Sequence, residues 1–309
     1  MSAMLTVTVT GAAGTVGRAC VKAAVQAGHE VRALVRNEEE FRRVATEPRV
    51  EVWEGDILDR AEAGEALTGT DAVVHCVDFA PREFGHNWDA IRHALEGLRP
   101  GGWFVYPGNL WVFGPPQAER VGPDHPKASP SRLGAVRADL EKAVTAQGGT
   151  VIHMPALYGP GVKRGWLYDA FRRALAGKPA YFPGDLDRPI EFLYVADAAR
   201  ALIAPLGRRQ ARGSDYTAPG YRVTTPREMI GLIYRAAAQE PRVRSIPVPL
   251  LRFFDLFDAD RRLTRDLSYL MENAILLDGT AIRRELGWQS EVDYADGARR
   301  TVRWLRHTS

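Results

Sequence analysis

Short apolar runs rich in β-branched residues alternate with longer amphipathic stretches along the first half of the chain. Apolar runs of this length predict buried strands, and apolar residues spaced three and four apart predict helices. The predicted strands cover residues 5–9, 31–35, 50–54, 72–77, 103–106 and 150–154. The predicted helices cover residues 15–27, 38–46, 59–67, 87–98 and 131–146.

This alternation predicts an α/β fold with a parallel sheet wound on both faces by helices, the Rossmann-type arrangement. After residue 158 the pattern loosens and Pro and Gly become frequent. We therefore expect one domain over residues 1–157, to which residues 185–218 return, and a smaller lobe over most of 158–309. The apolar run 192–194 is predicted to rejoin the sheet, and the Pro-rich, charged loop 114–130 to be a mobile flap.

Composition narrows the class of function. The 309 residues carry a net charge of +3 with acids and bases interspersed, so a basic stripe for nucleic acid or membrane binding is not expected. No run reaches the roughly 18 apolar residues of a membrane span, and residues 1–9 lead straight into a strand, which predicts a soluble cytoplasmic protein. Cys20 and Cys76 are expected to be buried free thiols, and without Cys-x-x-Cys or His-x-x-x-His no metal site is predicted.

A glycine-rich turn follows the first predicted strand and opens the first helix. It reads Thr10-Gly11-Ala12-Ala13-Gly14-Thr15-Val16-Gly17. Strand, glycine turn and helix N-terminus together form a pyrophosphate cradle, because glycine lets the backbone approach the ligand and the helix N–H groups attract the anion. The alternative is a glycine turn that only packs helix on strand. The predicted cofactor-binding residues of this loop are Gly11, Ala13, Gly14, Thr15, Val16 and Gly17.

Two further strand ends carry residues suited to a dinucleotide. Arg36 ends the second strand, where an acid would favour NAD, and a guanidinium can meet the 2′-phosphate of NADP, with Arg32 as a possible helper. Asp56 and Ile57 follow the third strand, where a carboxylate can accept from the adenine amino group and Ile57 can pack on the ring. The alternatives are ordinary surface arginines and an Asp56 that caps the next helix. NADP(H) is favoured over NAD.

The chain resembles the short-chain dehydrogenase/reductase superfamily, in its extended or atypical branch (the epimerase/dehydratase and NmrA-like groups), over essentially its whole length. The resemblance is carried by the glycine loop, by Gly55-Asp56, and by the segments 73–77, 155–161, 195–199 and 286–288. It implies that Cys76 and Val77, at the end of the fourth strand, run under the cofactor. It also implies that residues 155–161 lie near the nicotinamide, that the C-terminal lobe binds substrate, and that helices 87–98 and 131–146 form a homodimer.

The catalytic centre departs from the family pattern. Active members carry Ser or Thr after the fifth strand and a Tyr-x-x-x-Lys on the next helix, where lysine lowers the tyrosine pKa for proton transfer. Here Gly108 and Asn109 stand in the serine segment, Leu133 at the tyrosine position and Arg137 at the lysine position. Leucine transfers no proton, and arginine stays charged near neutral pH.

The candidate catalytic residues are therefore Asn109, Arg137 and Tyr158. Asn109 can donate to a substrate oxygen or serve as a turn residue, and Tyr158 can orient substrate or simply pack. Tyr106 is expected in the core, His153 as a satisfied buried imidazole, and His86 and His93 at a subunit face or in solvent. Aromatic residues are dense where substrate is expected, which favours an apolar or aromatic small molecule: Phe79, Phe84, Trp88, Trp111, Phe113, Tyr158 and Trp166.

Three functions remain open at this point. The first is an NADP(H)-dependent oxidoreductase acting on a small apolar carbonyl or conjugated substrate. The second is an epimerase, dehydratase or isomerase that retains its cofactor. The third is a non-catalytic NADP-binding regulator of the NmrA-like kind, ranked behind the other two.

Overall fold

A computed structural model describes residues 3–44, 47, 49–254 and 266–308. The last residues of the predicted helix 38–46 lie outside the described residues. Seven strands, all parallel, form the central sheet in the order β10-β6-β5-β4-β1-β2-β3. They are β1 (Thr6–Thr10), β2 (Glu30–Val35), β3 (Val50–Glu54), β4 (Ala72–His75), β5 (Trp103–Asn109), β6 (Thr150–Met154) and β10 (Asp215–Thr217).

Helices cover both faces of this sheet because successive strand residues point to opposite sides. Val105 packs with the core on one face, and its neighbours Phe104 and Tyr106 pack with the core on the other. The first face carries α1 (Thr15–Gln26), α2 (Glu38–Val44), and later helices from the second half of the chain. The second face carries α3 (Arg60–Leu67), α4 (His86–Gly97) and α5 (Arg132–Ala146). The predicted α/β Rossmann-type fold is confirmed.

The second half of the chain supplies the remaining elements and a third apolar cluster. The strands are β7 (Ala156–Tyr158), β8 (Ala180–Pro183), β9 (Phe192–Tyr194) and β11 (Val243–Ile246). The helices are α6 (Trp166–Leu175), α7 (Val195–Ile203), α8 (Pro226–Ala236), α9 (Val248–Phe254), α10 (Thr280–Leu286) and α11 (Tyr294–Thr308).

The return of the chain to the central sheet differs from the prediction. The expected strand 192–194 pairs with β7 in a separate two-stranded parallel sheet. The chain rejoins the central sheet later, through β10 beside β6. The reason is that β9 begins the connection into α7, whose apolar face packs on α1. The division into domains over 1–157 and 158–309 stays a prediction.

The predicted mobile flap 114–130 is anchored at several points. Val121 is fully buried and forms a bridge with Leu277, and Arg120 donates to the Leu277 carbonyl (2.8 Å). Lys127 reaches inward to Glu141 (3.0 Å) and Asp215 (2.6 Å). This segment thus pairs with a buried carboxylate of α5 and with distant backbone, contacts that a free flap would lack, and its mobility stays a prediction.

Candidate active site

The glycine loop lies in the crevice at the carboxyl ends of β1 and β4, where the strand order reverses. Gly11 has φ +67°, and a Cβ there would lie 2.9 Å from the Val77 nitrogen and 3.0 Å from the Cys76 carbonyl. A Cβ on Gly17 would lie 2.2 Å from the Gly11 oxygen. Both positions require glycine, the first for its backbone conformation and the second for the close packing of α1 on the loop.

The start of α1 opens toward solvent. Gly14 precedes the helix with φ −70° and ψ 168°, and its N–H donates to the Gly11 carbonyl (2.9 Å). Ala13 and Gly14 are exposed, and Thr15 and Val16 are half-buried. The first N–H groups of a helix have no partner within the helix, so this exposed end fits a pyrophosphate group. Thr15 also donates its hydroxyl to the Gly161 carbonyl (2.7 Å), which ties the loop to the segment 155–161.

The two arginines of β2 have different surroundings. Arg36 is exposed directly after the strand, at the same edge of the sheet as the glycine loop. Arg32 pairs with Glu51 (3.1 Å), donates to the Ala66 carbonyl (2.7 Å) and lies over the Trp53 ring. The expectation that Arg32 helps to bind a phosphate is corrected, because its guanidinium is used within the fold.

The turn after β3 differs from the expected helix cap. Asp56 accepts from the Leu58 N–H (3.0 Å), whereas Asp59 caps α3 by accepting from two N–H groups. The interpretation of Asp56 as the helix cap is therefore wrong. Its half-exposed carboxylate lies just after the carboxyl end of β3. Ile57 is only 5% exposed in the core, which leaves little of its side chain for an adenine ring.

A buried stack of side chains lies beneath the ends of β4 and β5. His75 is fully buried, bonds Thr10 through Nδ1 (2.9 Å) and lies tilted against the Tyr106 ring at 6.0 Å. The Arg137 guanidinium lies over the Tyr106 ring, 4.8 Å from its centre. It donates to Asp78 (3.1 Å) and to the Pro107 carbonyl (3.1 Å).

Burial sets the protonation of this stack. It lowers the pKa of His75 to about 3, with a further contribution from the Arg137 charge. It raises the pKa of Tyr106 to about 12, an effect that Arg137 partly offsets. Neither group exchanges a proton readily near neutral pH. Arg137 itself is 5% exposed, and its guanidinium is bonded to Asp78 and to the Pro107 carbonyl in β5.

Asn109 and Leu133 are the residues at which the resemblance led us to expect hydroxyl groups. Asn109 is half-buried at the end of β5, and its side-chain oxygen accepts from the Trp111 N–H (2.9 Å). Its amide nitrogen makes no hydrogen bond to the described part of the chain and can donate to a ligand. Leu133 is 7% exposed, one helical turn before Arg137, and packs in the same apolar cluster as Tyr269.

Tyr158 lies away from this group. It is 1% exposed, packs edge-on against Tyr194 at 5.4 Å and lies 6.2 Å from the Tyr294 ring. Its hydroxyl has no hydrogen-bond partner among the described residues. The expectation that Tyr158 orients substrate is therefore corrected, because the side chain is enclosed in the third apolar cluster.

The structure confirms some of the remaining predictions for histidine and aromatic residues and contradicts others. His153 is confirmed as a satisfied buried imidazole, bonded to Glu141 (2.9 Å). His93 is also buried, bonded to the Ile57 carbonyl (2.9 Å), so its expected exposure is wrong, whereas His86 is exposed. Of the aromatic side chains expected near substrate, several are core residues and the rest are more accessible. The core ones are Phe84, Phe113 and Tyr158, and the others are Phe79, Trp88, Trp111 and Trp166.

Sequence reasoning missed Asp78 as a site residue, because no local motif marks a carboxylate that pairs with an arginine 59 positions later. Cys76 is half-buried rather than buried as expected. Within the described ranges, no group of three or more His, Cys, Asp or Glu could hold a metal ion. No described helix is both long enough and apolar enough to cross a bilayer.

The chain is similar in sequence to proteins of known function. Residues 11–97 match the family model described as NAD(P)H-binding. The chain is 27% identical to a dTDP-glucose 4,6-dehydratase of Neisseria gonorrhoeae, over 96% of this chain and 94% of that protein. It is 31% identical to a 3-diazoavenalumate denitrifying reductase of a Streptomyces species over 223 residues, 64% of this chain and 71% of that protein.

Solved structures share the fold at lower identity. The dTDP-glucose 4,6-dehydratase of Bacillus anthracis, solved with NAD, superposes with a TM-score of 0.80 at 17% identity, covering 99% of this chain and 98% of that one. The UDP-glucuronic acid 4-epimerase of Bacillus cereus, also with NAD, gives 0.79 at 16% identity, over 98% and 97%. The chain belongs to the NAD(P)-dependent epimerase/dehydratase group, the extended branch of the short-chain dehydrogenase/reductase superfamily.

Proposed function

We propose that this protein is an NADP(H)-dependent reductase of a small, apolar carbonyl or conjugated substrate, and that it favours conjugated acceptors because it works without a proton donor of its own. The observation that carries the proposal is Leu133, buried in the core where active relatives place the catalytic tyrosine. A substrate that accepts hydride first and takes its proton from water needs no such donor. A secondary alcohol or sugar hydroxyl, which must lose a proton as it is oxidised, needs one.

The glycine loop and the strand ends would hold the cofactor. The N–H groups around Gly14, Thr15 and Val16 suit the pyrophosphate, and Asp56 suits the adenine amino group. Arg36 suits a 2′-phosphate, which supports NADP over NAD. When bound, reduced nicotinamide supplies a hydride.

The protein's own contribution is to position the acceptor. The Asn109 amide nitrogen can donate to the oxygen on which negative charge develops. Arg137 fixes the place of that donor by holding the Pro107 carbonyl two residues before it, and it also holds Asp78, three residues after the end of β4. We assign Asn109 the substrate contact and Arg137 a positioning role.

The names of the similar proteins support both a reaction with net redox change and a reaction without one. One is named as a reductase of a diazo compound, and a hydride taken up with loss of dinitrogen would need no proton from the protein. Another is named as a sugar-nucleotide dehydratase. We favour the reductase because Leu133 removes the proton transfer on which a dehydratase's initial oxidation would depend.

A matched pair of acceptors tests the proposal. Purified protein with NADPH is offered an aryl enone or an aryl diazo compound, and separately a simple aryl ketone of similar size. We expect NADPH consumption above the enzyme-free rate with the first kind, and about a hundredfold slower reduction of the ketone. Deuterium from labelled NADPH should appear in the product. Failure of every acceptor in the panel would rule the reductase out.

A binding titration tests the preference for NADPH over NADH. Arg36→Ala is expected to weaken NADPH binding about tenfold or more and to leave NADH binding unchanged, since only NADPH carries the 2′-phosphate. Lys142→Ala on the exposed face of α5 is the control. Equal loss for both nucleotides would contradict the assignment.

The alternatives have their own signatures. A dehydratase or epimerase would keep its cofactor through desalting, and a regulator would bind NADP without turnover and retain a protein partner. The homodimer through α4 and α5 and the cytoplasmic location stay predictions, which a sedimentation measurement and cell fractionation can test.

A further inference from the structure

The chain's two cysteines meet beneath the glycine loop. Cys20 lies on α1, and Cys76 directly follows β4. Both are free thiols, and their sulfur atoms are 3.8 Å apart. Two sulfurs in van der Waals contact need only a small shift to reach the roughly 2.05 Å of a disulfide bond.

The two thiols differ in access. Cys20 is 0% exposed, and Cys76 is half-buried at the crevice where the loop opens. An accessible thiol backed by a second one in contact is the arrangement in which the first is oxidised and the second resolves it.

We propose that Cys20 and Cys76 form a reversible disulfide under peroxide, and that this bond weakens dinucleotide binding. The Cys76 thiol loses its proton, its sulfur attacks a peroxide oxygen, and the O–O bond breaks; the departing hydroxide takes up that proton as water and Cys76 is left as a sulfenic acid. The Cys20 sulfur then attacks the Cys76 sulfur. The S–O bond breaks, and the departing hydroxide takes the Cys20 proton as a second water. The two thiols lose two electrons, which the peroxide gains.

The packing around the pair links this bond to the loop. A Cβ on Gly11 would already lie 3.0 Å from the Cys76 carbonyl, and one on Gly17 would lie 2.2 Å from the Gly11 oxygen. α1, the loop and the end of β4 are therefore closely packed on one another. Because Cys20 lies on α1 and Cys76 follows β4, we expect the shift that joins their sulfurs to move the loop as well. By reciprocity, a nucleotide bound on the loop should slow oxidation.

The test combines mass spectrometry with NADPH binding. Only the binding measurement rests on the proposed function. Peroxide-treated protein should lose two hydrogens per chain by intact mass, with a Cys20–Cys76 linked peptide after digestion. Its NADPH dissociation constant should rise about tenfold or more and recover with dithiothreitol. Hydrogen exchange of residues 11–17 should rise on oxidation, which reports on the loop without any nucleotide.

Cys20→Ala is the matched variant, and Cys76→Ala a second one in case the buried substitution destabilises the fold. In Cys20→Ala, Cys76 should gain oxygen without a cross-link, and dithiothreitol should not reverse the more oxidised forms. The proposal is overturned if the natural chain shows oxygen adducts without a cross-link. It is equally overturned if the cross-link forms and neither NADPH affinity nor exchange of the loop changes. If the reduced protein bound no NADPH, the proposed function would fall, while mass and exchange would still decide the disulfide.

Discussion

The glycine loop and the region around α5 lie at the carboxyl ends of strands in the same sheet, yet they are built differently. The loop consists of backbone: a positive φ at Gly11, a contact that excludes a side chain at Gly17, and the open end of α1. The region around α5 consists of side chains: Leu133, Arg137 and Asn109 stand where the sequence pattern of the family led us to expect hydroxyl groups and lysine.

This contrast explains why membership of the family predicts the cofactor more firmly than the reaction. A loop defined by backbone geometry tolerates almost no substitution without losing its shape. Side chains on a finished helix can be exchanged while the helix and sheet stay intact. The measurements below probe the two regions in turn.

Gly17→Ala should have the largest effect. The added Cβ would meet the Gly11 oxygen at 2.2 Å, and relieving this contact costs about 1–3 kcal/mol and moves the loop. We expect NADPH affinity to fall about a hundredfold, measured by calorimetric titration. The control is Gly64→Ala in α3, which has open space around it and should bind normally. Unchanged binding in Gly17→Ala would mean that the loop is not the nucleotide site.

Arg137→Lys should have the next largest effect. A lysine cannot reproduce the paired hydrogen bonds to Asp78 and the Pro107 carbonyl, because its ammonium lacks the planar fork of arginine. We expect kcat with the best acceptor to fall about tenfold or more, with the KM for NADPH unchanged. Arg132→Lys, exposed on the same helix, is the control. A rise in KM alone would place Arg137 in nucleotide binding instead.

His75→Gln should change the response of stability to acid. The pKa of His75 lies near 3 in the folded protein and near 6.5 in the unfolded chain, so only the unfolded chain takes up this proton between those values. Stability from this group is complete above about pH 6.5 and falls by about 1.4 kcal/mol per pH unit below it.

Urea unfolding at pH 7.5 and pH 5 measures this loss. The decrease in unfolding free energy should be about 2 kcal/mol larger in the natural chain than in His75→Gln. His307→Gln, exposed on α11, should match the natural chain. An equal decrease in all three would show that His75 does not resist protonation.

Tyr158→Phe should have the smallest effect. The hydroxyl is buried without a partner among the described residues, so its removal should change stability by no more than about 0.5 kcal/mol and leave kcat unchanged. Tyr294→Phe is the matched comparison. That hydroxyl donates to the Arg222 carbonyl (2.6 Å), and its loss should cost about 1 kcal/mol. A large loss of activity in Tyr158→Phe would return this residue to the catalytic group.

The sequence predicted local features well and distant pairings poorly. The strands 50–54 and 150–154 have the predicted bounds, because short β-branched runs and the periodicity of the flanking helices are both local signals. The glycine loop is also local. The pairing of Arg137 with Asp78, and of Lys127 with Glu141, joins residues whose spacing carries no periodicity. The motif left open whether Tyr158 orients substrate or packs, because the tyrosines that enclose it come from β9 and α11, far along the chain.

The contacts that residues 269–277 make with the segment after β5 also have a consequence for the order in which the protein folds during synthesis. Tyr269 donates its hydroxyl to the Phe113 carbonyl, 156 residues earlier, and Val121 bridges Leu277. Closing a loop of this length costs entropy before any contact is gained. During synthesis from the N-terminus, β1 to β6 are complete long before Tyr269 exists. The apolar surface around Phe113 and Leu133 therefore stays uncovered until residues 269–277 have been synthesised, and we expect the nascent chain to be prone to aggregation during this interval.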